Sequence, residues 1–486
     1  MNANHDINLF VGRIPEVGEG LGGDVGGVGD NMTSACTEKK SSGVAWFGEI
    51  PPHWCCGHLK RFTKRIQAGM TPPTSTPEYY IDGTIPWFAP GSFNGDIDLR
   101  EPRKLINDLA RSEGELRIFP SGTVFLVGIG ATIGKVGLVS AEASCNQQLI
   151  GLVSGHRMYS RFLAYQFKIY EDVIPSIATS TTLPIFDQVK TGYLPVCLPQ
   201  LLEQQWITAY LDASYAAIGA AVAAKRRQLE TLDALRKSII QRAITRGISE
   251  DVPLVSTGNA WMEQIPHGWK LVFLKRIADI QGGLTLGKQY DGPLIERPYL
   301  RVGNVQDGHL DLADVSVIEL PARVAAGVEL RPGDVLMTEG GDLDKLGRGH
   351  VWNGEIPGCL HQNHIFAVRC FLHKLKPMFL AYLTAARYGR DYFEATGKKT
   401  TNLACTNATK VGEFPIPLPG LTEQEAICAY LEKKLGEVKS IVTVIEAQIA
   451  TLTAYRKSLI HECVTGQRRI TEAEVARCQL PGPPDR

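Results

Sequence analysis

The chain repeats itself, and the repeat governs what it can fold into. Leu198-Pro-Gln-Leu-Leu-Glu-Gln-Gln-Trp-Ile-Thr-Ala-Tyr-Leu211 returns 220 residues later as Leu418-Pro-Gly-Leu-Thr-Glu-Gln-Glu-Ala-Ile-Cys-Ala-Tyr-Leu431. Arg236-Lys-Ser-Ile-Ile240 returns at the same spacing as Arg456-Lys-Ser-Leu-Ile460. Nothing is inserted between the two matches. A continuous helix requires this, because an insertion would rotate everything after it. Upstream, Trp46-Phe-Gly-Glu-Ile-Pro-Pro-His-Trp54 returns 215 residues later as Trp261-Met-Glu-Gln-Ile-Pro-His-Gly-Trp269. One plan is therefore used twice: an Ile-Pro…Trp lead-in, a variable stretch and a long helix. A repeat of this length outranks any local signal.

Each long helix follows a proline-rich brake, Leu194-Pro-Val-Cys-Leu-Pro199 and Phe414-Pro-Ile-Pro-Leu-Pro419. In the second, Thr422 is a natural N-cap, with Glu423 and Glu425 in the first turn where the helix dipole favours them. Its apolar positions step by three and four through Ile427, Leu431, Leu435, Val438, Val442, Ile445, Ile449, Leu452, Tyr455 and Leu459, a coiled-coil seam. The first helix carries the seam through Ile207, Leu211, Ile218, Val222, Leu229, Leu232, Leu235 and Ile239, with a small-residue patch at 216–224. About 45 residues give a rod of roughly 65 to 70 Å. The expected class is α+β: two mixed β-rich globular modules joined by two long helices in an antiparallel coiled coil, with a pseudo-twofold between the repeats.

The expected divisions are a Gly-rich flexible tail over 1–40, a first module over 41–197, the first helix over 198–250, a second module over 251–417, the second helix over 418–470, and a tail over 471–486. The tail cannot bury enough apolar area to offset its backbone entropy. Met32, close to where the repeated pattern begins, is a candidate true start. Within the modules, Thr123-Val-Phe-Leu-Val-Gly128 and Lys135-Val-Gly-Leu-Val139 read as strands, and a helix is expected near 160–170. The second module keeps the order of these anchors, as in Phe162-Leu-Ala-Tyr against Phe379-Leu-Ala-Tyr, and shares little else. One scaffold with different loops suits two modules doing similar jobs on different targets.

The formal net charge is zero, so any nucleic-acid surface must be a local patch. Eleven scattered cysteines read as free thiols in a reducing compartment. No apolar run approaches the roughly 20 residues needed to span a bilayer, and no signal peptide is evident. The expected location is cytoplasmic.

Gly128-Ile-Gly-Ala-Thr-Ile-Gly-Lys135 invites a phosphate-loop reading but fails on spacing: a P-loop has four residues between its glycines and Ser or Thr after the Lys. A glycine-rich turn presenting Thr132 and Lys135 to a phosphate backbone fits better. His53, Cys55, Cys56 and His58, and Cys359, His361 and His364, lack the paired spacing of structural zinc. They read as turn and core residues, with no metal. Methyltransferase, nuclease and hydrolase signatures are absent, so no catalytic residue is expected.

Polar clusters fall at corresponding places in the two modules. The first has Asn146, Gln147 and Gln148, then Ser180, Thr181 and Thr182. The second has Gln362 and Asn363 between His361 and His364, then Lys398, Lys399, Thr400 and Asn402. Arg301, Asn304, Lys345, Arg348 and His350 add to the second set. Gln, Asn, Lys and Arg read base edges, while Ser and Thr commonly hold phosphates.

This pattern resembles the specificity subunit of type I restriction–modification systems. The resemblance is carried by Ser42-Gly-Val-Ala-Trp-Phe-Gly-Glu-Ile-Pro-Pro-His-Trp54, Gly130-Ala-Thr-Ile-Gly-Lys135 and the two Leu-Pro-x-Leu-x-Glu-Gln helix starts, over about residues 41–470. The Gly-rich first 40 residues depart from it. It implies two target-recognition domains reading a bipartite asymmetric DNA site, with the helices as a ruler between them. It also implies docking of two modification (methyltransferase) subunits and of restriction/translocase subunits. The chain itself would be non-catalytic, with S-adenosylmethionine, ATP and Mg on the partners. A coiled-coil adaptor whose modules bind protein is the alternative; salt-dependent duplex binding separates the two.

Overall fold

The structure, a computed structural model, describes residues 39–44, 47–178, 184–341, 345–399 and 404–479. The chain divides into two compact units. One holds the described residues up to Ala224 and those from Gln448 onward; the other is Lys225–Ala447. Each unit contains the first part of one long helix and the last part of the other.

The long helices run Leu201–Arg246 and Leu421–Val464. The second begins at Leu421, so Thr422 lies inside the first turn. Gly420 takes the cap position instead, its carbonyl accepting from Gln424 N at 2.9 Å. In the first unit the helix segments pack antiparallel: Arg468 lies over Tyr210 at 5.1 Å and Arg456 over Tyr215 at 3.1 Å. Ile207, Leu211 and Ile218 share a core with Leu459, Ile460 and Val464. In the second unit Ile240 and Ile244 share a core with Ile427 and Leu431.

The expected seam fails at one repeated position. Leu235 and Tyr455 are both exposed, at 47%. The next residues, Arg236 and Arg456, turn inward to half-burial, and Ile240 and Ile460 are buried instead. The inward stripe drifts there because it must follow the module as well as the partner helix. One window of the first helix also departs from expectation: it is long and apolar enough to cross a membrane, with hydropathy 1.3. The small-residue patch at 216–224 supplies much of that apolarity.

The first unit is built on an antiparallel sheet in the order Thr63–Ala68, Leu149–Ser154, Val124–Val127, Val136–Leu138. Val124–Val127 is a continuous apolar run buried at every residue. This is the pattern of a strand covered on both faces: Val124 and Leu126 face the core shared with the helices, while Phe125 and Val127 face a second core. Beyond it lies a sheet in which Ile85–Phe88 pairs parallel with Ala143–Cys145. The lead-in strand Cys55–His58 pairs with Pro195–Leu198, the strand that leads into the first long helix.

The second unit repeats this plan. Its main sheet runs Ala278–Gly282, Ile365–Cys370, Asp334–Thr338, Gly349–Val351. Ile295–Leu300 pairs parallel with Leu360–His361, and Lys270–Phe273 pairs with Pro415–Leu418. The module helices are Ser160–Lys168 and Pro377–Ala385.

One expectation about cysteines is corrected. Cys56 and Cys197 stand directly opposite in the lead-in ribbon, Cα atoms 4.1 Å apart, and form a disulfide. Opposed positions bring the sulfurs within bonding reach, which sequence spacing did not reveal.

Candidate nucleic-acid interface

Hydrogen bonds superpose the two polar clusters residue by residue. In the first unit Asn146 N donates to Phe88 O at 3.0 Å, Leu149 N to Asn146 O at 3.1 Å, and Gly128 N to Gln148 O at 2.8 Å. In the second, Gln362 N donates to Leu300 O at 2.9 Å, Ile365 N to Gln362 O at 2.9 Å, and Glu339 N to His364 O at 2.9 Å. Asn146-Gln147-Gln148 and Gln362-Asn363-His364 are therefore the same turn carrying different side chains. A neighbouring glycine is required in each: a Cβ on Gly69 would lie 2.1 Å from Cys145 O, and one on Gly283 2.3 Å from Gln362 O.

Further segments join each turn. In the first unit Gly130 N donates to Pro184 O at 3.1 Å and Phe186 N to Gly128 O at 2.8 Å, which draws the glycine-rich turn alongside. That turn uses positive φ at Gly130 and Gly134, 106° and 90°, conformations glycine alone adopts freely. Thr132 and Lys135 on it are half-buried. In the second unit Thr406 N donates to Glu339 O at 2.8 Å, and Lys398–Lys399 pairs with Ala404–Cys405, which pairs with Gly340–Gly341. Lys398 is exposed on this edge.

Not every expected residue faces outward. Asn146 is buried, donating to Gln148 Oε1 at 2.8 Å, and Gln147 beside it is exposed, accepting from Thr71 Oγ1. Asn304 is also buried, its amide donating to Asp311 O at 2.8 Å and Asp314 O at 2.9 Å. It pins a turn and has no donor left to offer. Arg301 lies on that turn, ion-paired with Asp314 at 2.7 Å. Lys345 is exposed; Arg348, Gln362 and Asn363 are half-buried. Ser180, Thr181, Thr182, Thr400, Asn402 and the Lys399 side chain lie outside the described residues.

The histidine and cysteine clusters disperse. His53 pairs with Glu203 at 2.8 Å and His58 Nδ1 donates to Tyr193 O at 2.8 Å. His361 is fully buried, its Nδ1 donating to Ile365 O at 2.8 Å, and burial holds its imidazole below the ordinary histidine value. His364 pairs with Glu339 at 3.0 Å. Sequence reasoning missed Glu339 and Thr71 at these turns; lining up the repeats by strand register would have placed both.

A family profile described as "Type I restriction modification DNA specificity domain" matches residues 62–231. The specificity subunit of the type I restriction enzyme MjaVIII from Methanocaldococcus jannaschii is 22% identical over 434 residues, covering 87% of this chain and 94% of its own length. The chain carries a type I specificity domain over residues 62–231 and is similar to type I specificity subunits along most of its length. It is also similar to the specificity subunit of EcoKI from Escherichia coli K12, 19% identical over 439 residues, with 86% of this chain and 90% of the relative covered. Its fold matches a chain from a structural study of assembly and conformational transition in a type I R-M system, with TM-score 0.66, 18% identity, and coverage of 86% and 99%. It also matches the HsdS subunit of Thermoanaerobacter tengcongensis, with TM-score 0.50, 17% identity, and coverage of 86% and 98%.

Proposed function

We propose that this specificity subunit reads a two-part, asymmetric duplex DNA site, one part with each unit. The observation that carries the reading is the pair of superposable turns, 146–148 and 362–364, with the same backbone hydrogen bonds and different side chains. Equal frames with unequal side chains suit two different base sequences presented in equivalent geometry. Gln147, Gln148, Gln362, Asn363 and Arg301 are assigned to base edges, where amide and guanidinium groups discriminate. Thr132, Lys135, Lys345, Arg348 and Lys398 are assigned to the phosphate backbone.

The chain supplies recognition. Two modification subunits supply methyl transfer from S-adenosylmethionine, and restriction/translocase subunits supply the ATP- and Mg-dependent steps, in the cytoplasm. The long helices set the number of unread base pairs between the two parts. A mixed duplex pool incubated with the complex tests the reading. Retention should fall steeply with salt and enrich one two-part motif; retention without sequence enrichment would contradict it.

A further inference from the structure

In the repeated Arg-Lys-Ser motif the Arg turns inward beside the helix seam, but the exposed Lys237 and Lys457 are explained neither by the seam nor by the base-facing turns. In the second unit Arg236 and Lys237 line a groove of about 670 Å³ with Arg348, Arg387 and Arg390. Two carboxylates, Asp307 and Glu394, share the lining, and Asp233 and Asp391 pair with Lys237 and Arg387 at its edge. We propose that this groove binds the sugar–phosphate backbone of double-stranded DNA without regard to sequence. The inference rests on the DNA-reading function and adds to it a site outside the base-facing turns.

Three observations carry it. The motif recurs in the same role: Arg456, Lys457 and Ser458 line a groove of about 460 Å³ in the first unit. The modules differ while the motif does not, so its ligand is one both units meet in identical form. Phosphates are the same at every step of a duplex; base edges are not.

Charge is the second observation. The chain has zero net charge, yet the second-unit groove gathers five cations, two of them in exposed pairs that a phosphate can replace with release of counterions. The first-unit groove is nearer balance. Lys168 pairs with Glu171 at 2.7 Å and Lys457 with Asp172 at 3.0 Å, so the stronger contact belongs to the second unit.

The third observation is connection. Thr338 N donates to Arg348 O at 3.0 Å, and the next residue, Glu339, donates its N–H to His364 O at 2.9 Å. The groove wall and the base-facing turn are thus joined through one strand, which holds both in a fixed relation within the unit.

The side chains suit the task. Asp307 holds Arg390 at 2.9 Å and Arg236 at 3.9 Å, fixing two guanidinium groups. Lys237 and Arg387 are 63% and 82% exposed and pair with Asp233 and Asp391 on their own helices. Exposed pairs of this kind are weak, so exchanging the carboxylate for a phosphate costs little.

The test uses the complex with its methyltransferase subunits. Equilibrium binding to the cognate duplex and to an unrelated duplex is measured across salt concentrations for wild type, for the double variant Lys237→Ala/Arg387→Ala, and for Lys434→Ala, an exposed control paired with Glu437 outside the groove. The double variant should weaken both duplexes by the same factor, about tenfold or more, and lower the salt slope by about two. The methylated motif and the Lys434→Ala slope should stay as in wild type. An unchanged slope in the double variant, a loss confined to the cognate duplex, or loss of the methyltransferase from the complex would overturn the groove assignment. A wild-type complex that binds no duplex would overturn the DNA-reading function itself, and the groove with it.

Discussion

The indole N–H of Trp54 donates to Oε1 of Glu203 at 3.1 Å, and Trp269 repeats the bond to Glu423 at 3.0 Å. The two motifs that recur most clearly in the sequence thus hold each other. The end of the opposite helix closes on the same ring: a Cβ on Gly466 would lie 3.3 Å from Trp54, and one on Gly247 3.4 Å from Trp269. The neighbouring glutamine completes the joint. Gln204 accepts from Tyr159 N and donates to Arg157 O and Pro199 O; Gln424 does the same with Lys376 N, Lys374 O and Pro419 O.

This joint predicts a graded loss of stability. Trp54→Phe keeps the ring and loses one hydrogen bond, and should cost about 1 kcal/mol. Trp54→Ala should cost about 3 to 5 kcal/mol, since the side chain is fully buried. Gln204→Leu removes three bonds and strands the buried Pro199 carbonyl, at about 2 to 4 kcal/mol. Urea unfolding of each variant checks the order. Equal midpoints for Trp54→Phe and Trp54→Ala would show that the ring is not what the joint rests on.

A pH dependence follows from His361. Its Nε2 is buried without a hydrogen-bond partner among the described residues, and desolvation outweighs the Ile365 carbonyl and nearby Asp334 in holding its proton affinity down, with Arg369 acting in the same sense as burial. His350 is lowered by burial as well. An unfolded histidine takes up its proton near pH 6.5, whereas these folded ones resist until lower pH. The unfolded chain therefore binds more protons in that window. Stability should be full above about pH 6.5 and fall as the pH drops toward the folded values. The matching position in the first unit is Cys145, whose carbonyl accepts from Met70 N just as that of His361 accepts from Leu284 N, both at 2.7 Å. His361→Cys should accordingly flatten the acid-side slope in thermal unfolding, leaving the share of His350. An unchanged slope would place the titration elsewhere.

Gln147 and Asn363 occupy the same place in equivalent turns, so they separate the two halves of the site. Gln147→Ala should relax the bases read by the first unit alone, and Asn363→Ala those read by the second alone. Each should lose about 1 to 3 kcal/mol of discrimination at one position. Binding to randomised duplexes measures this. Relaxation of both halves by one substitution would mean that the turns do not read independently.

The sequence made the repeat, the long helices and the buried strands legible, because each leaves a periodic trace. The polar clusters were legible as groups for the same reason. What was not legible is which member of a cluster turns outward. Asn146 and Asn304 look like base readers, yet the backbone uses both to pin turns, while Gln147 stays exposed and Arg301 half-buried beside them. Composition is the same in both outcomes; only the local hydrogen bonding decides. The exposed Leu235 and Tyr455 failed for a related reason. Heptad spacing describes a helix facing another helix, and there the helix also faces its module. The Cys56–Cys197 pair depends on strand register, which a sequence separation of 141 does not announce.

The central claim is that two units read two separate parts of one DNA site. Methylated-base sequencing of cells carrying the chain with its methyltransferase subunits tests it most directly, alongside a variant whose residues 251–417 are exchanged for those of a relative. The account predicts a motif of two short base groups separated by a fixed gap. In the variant, one group should be replaced while the other group and the gap are retained. A single uninterrupted motif, or an exchange that alters both groups, would contradict it.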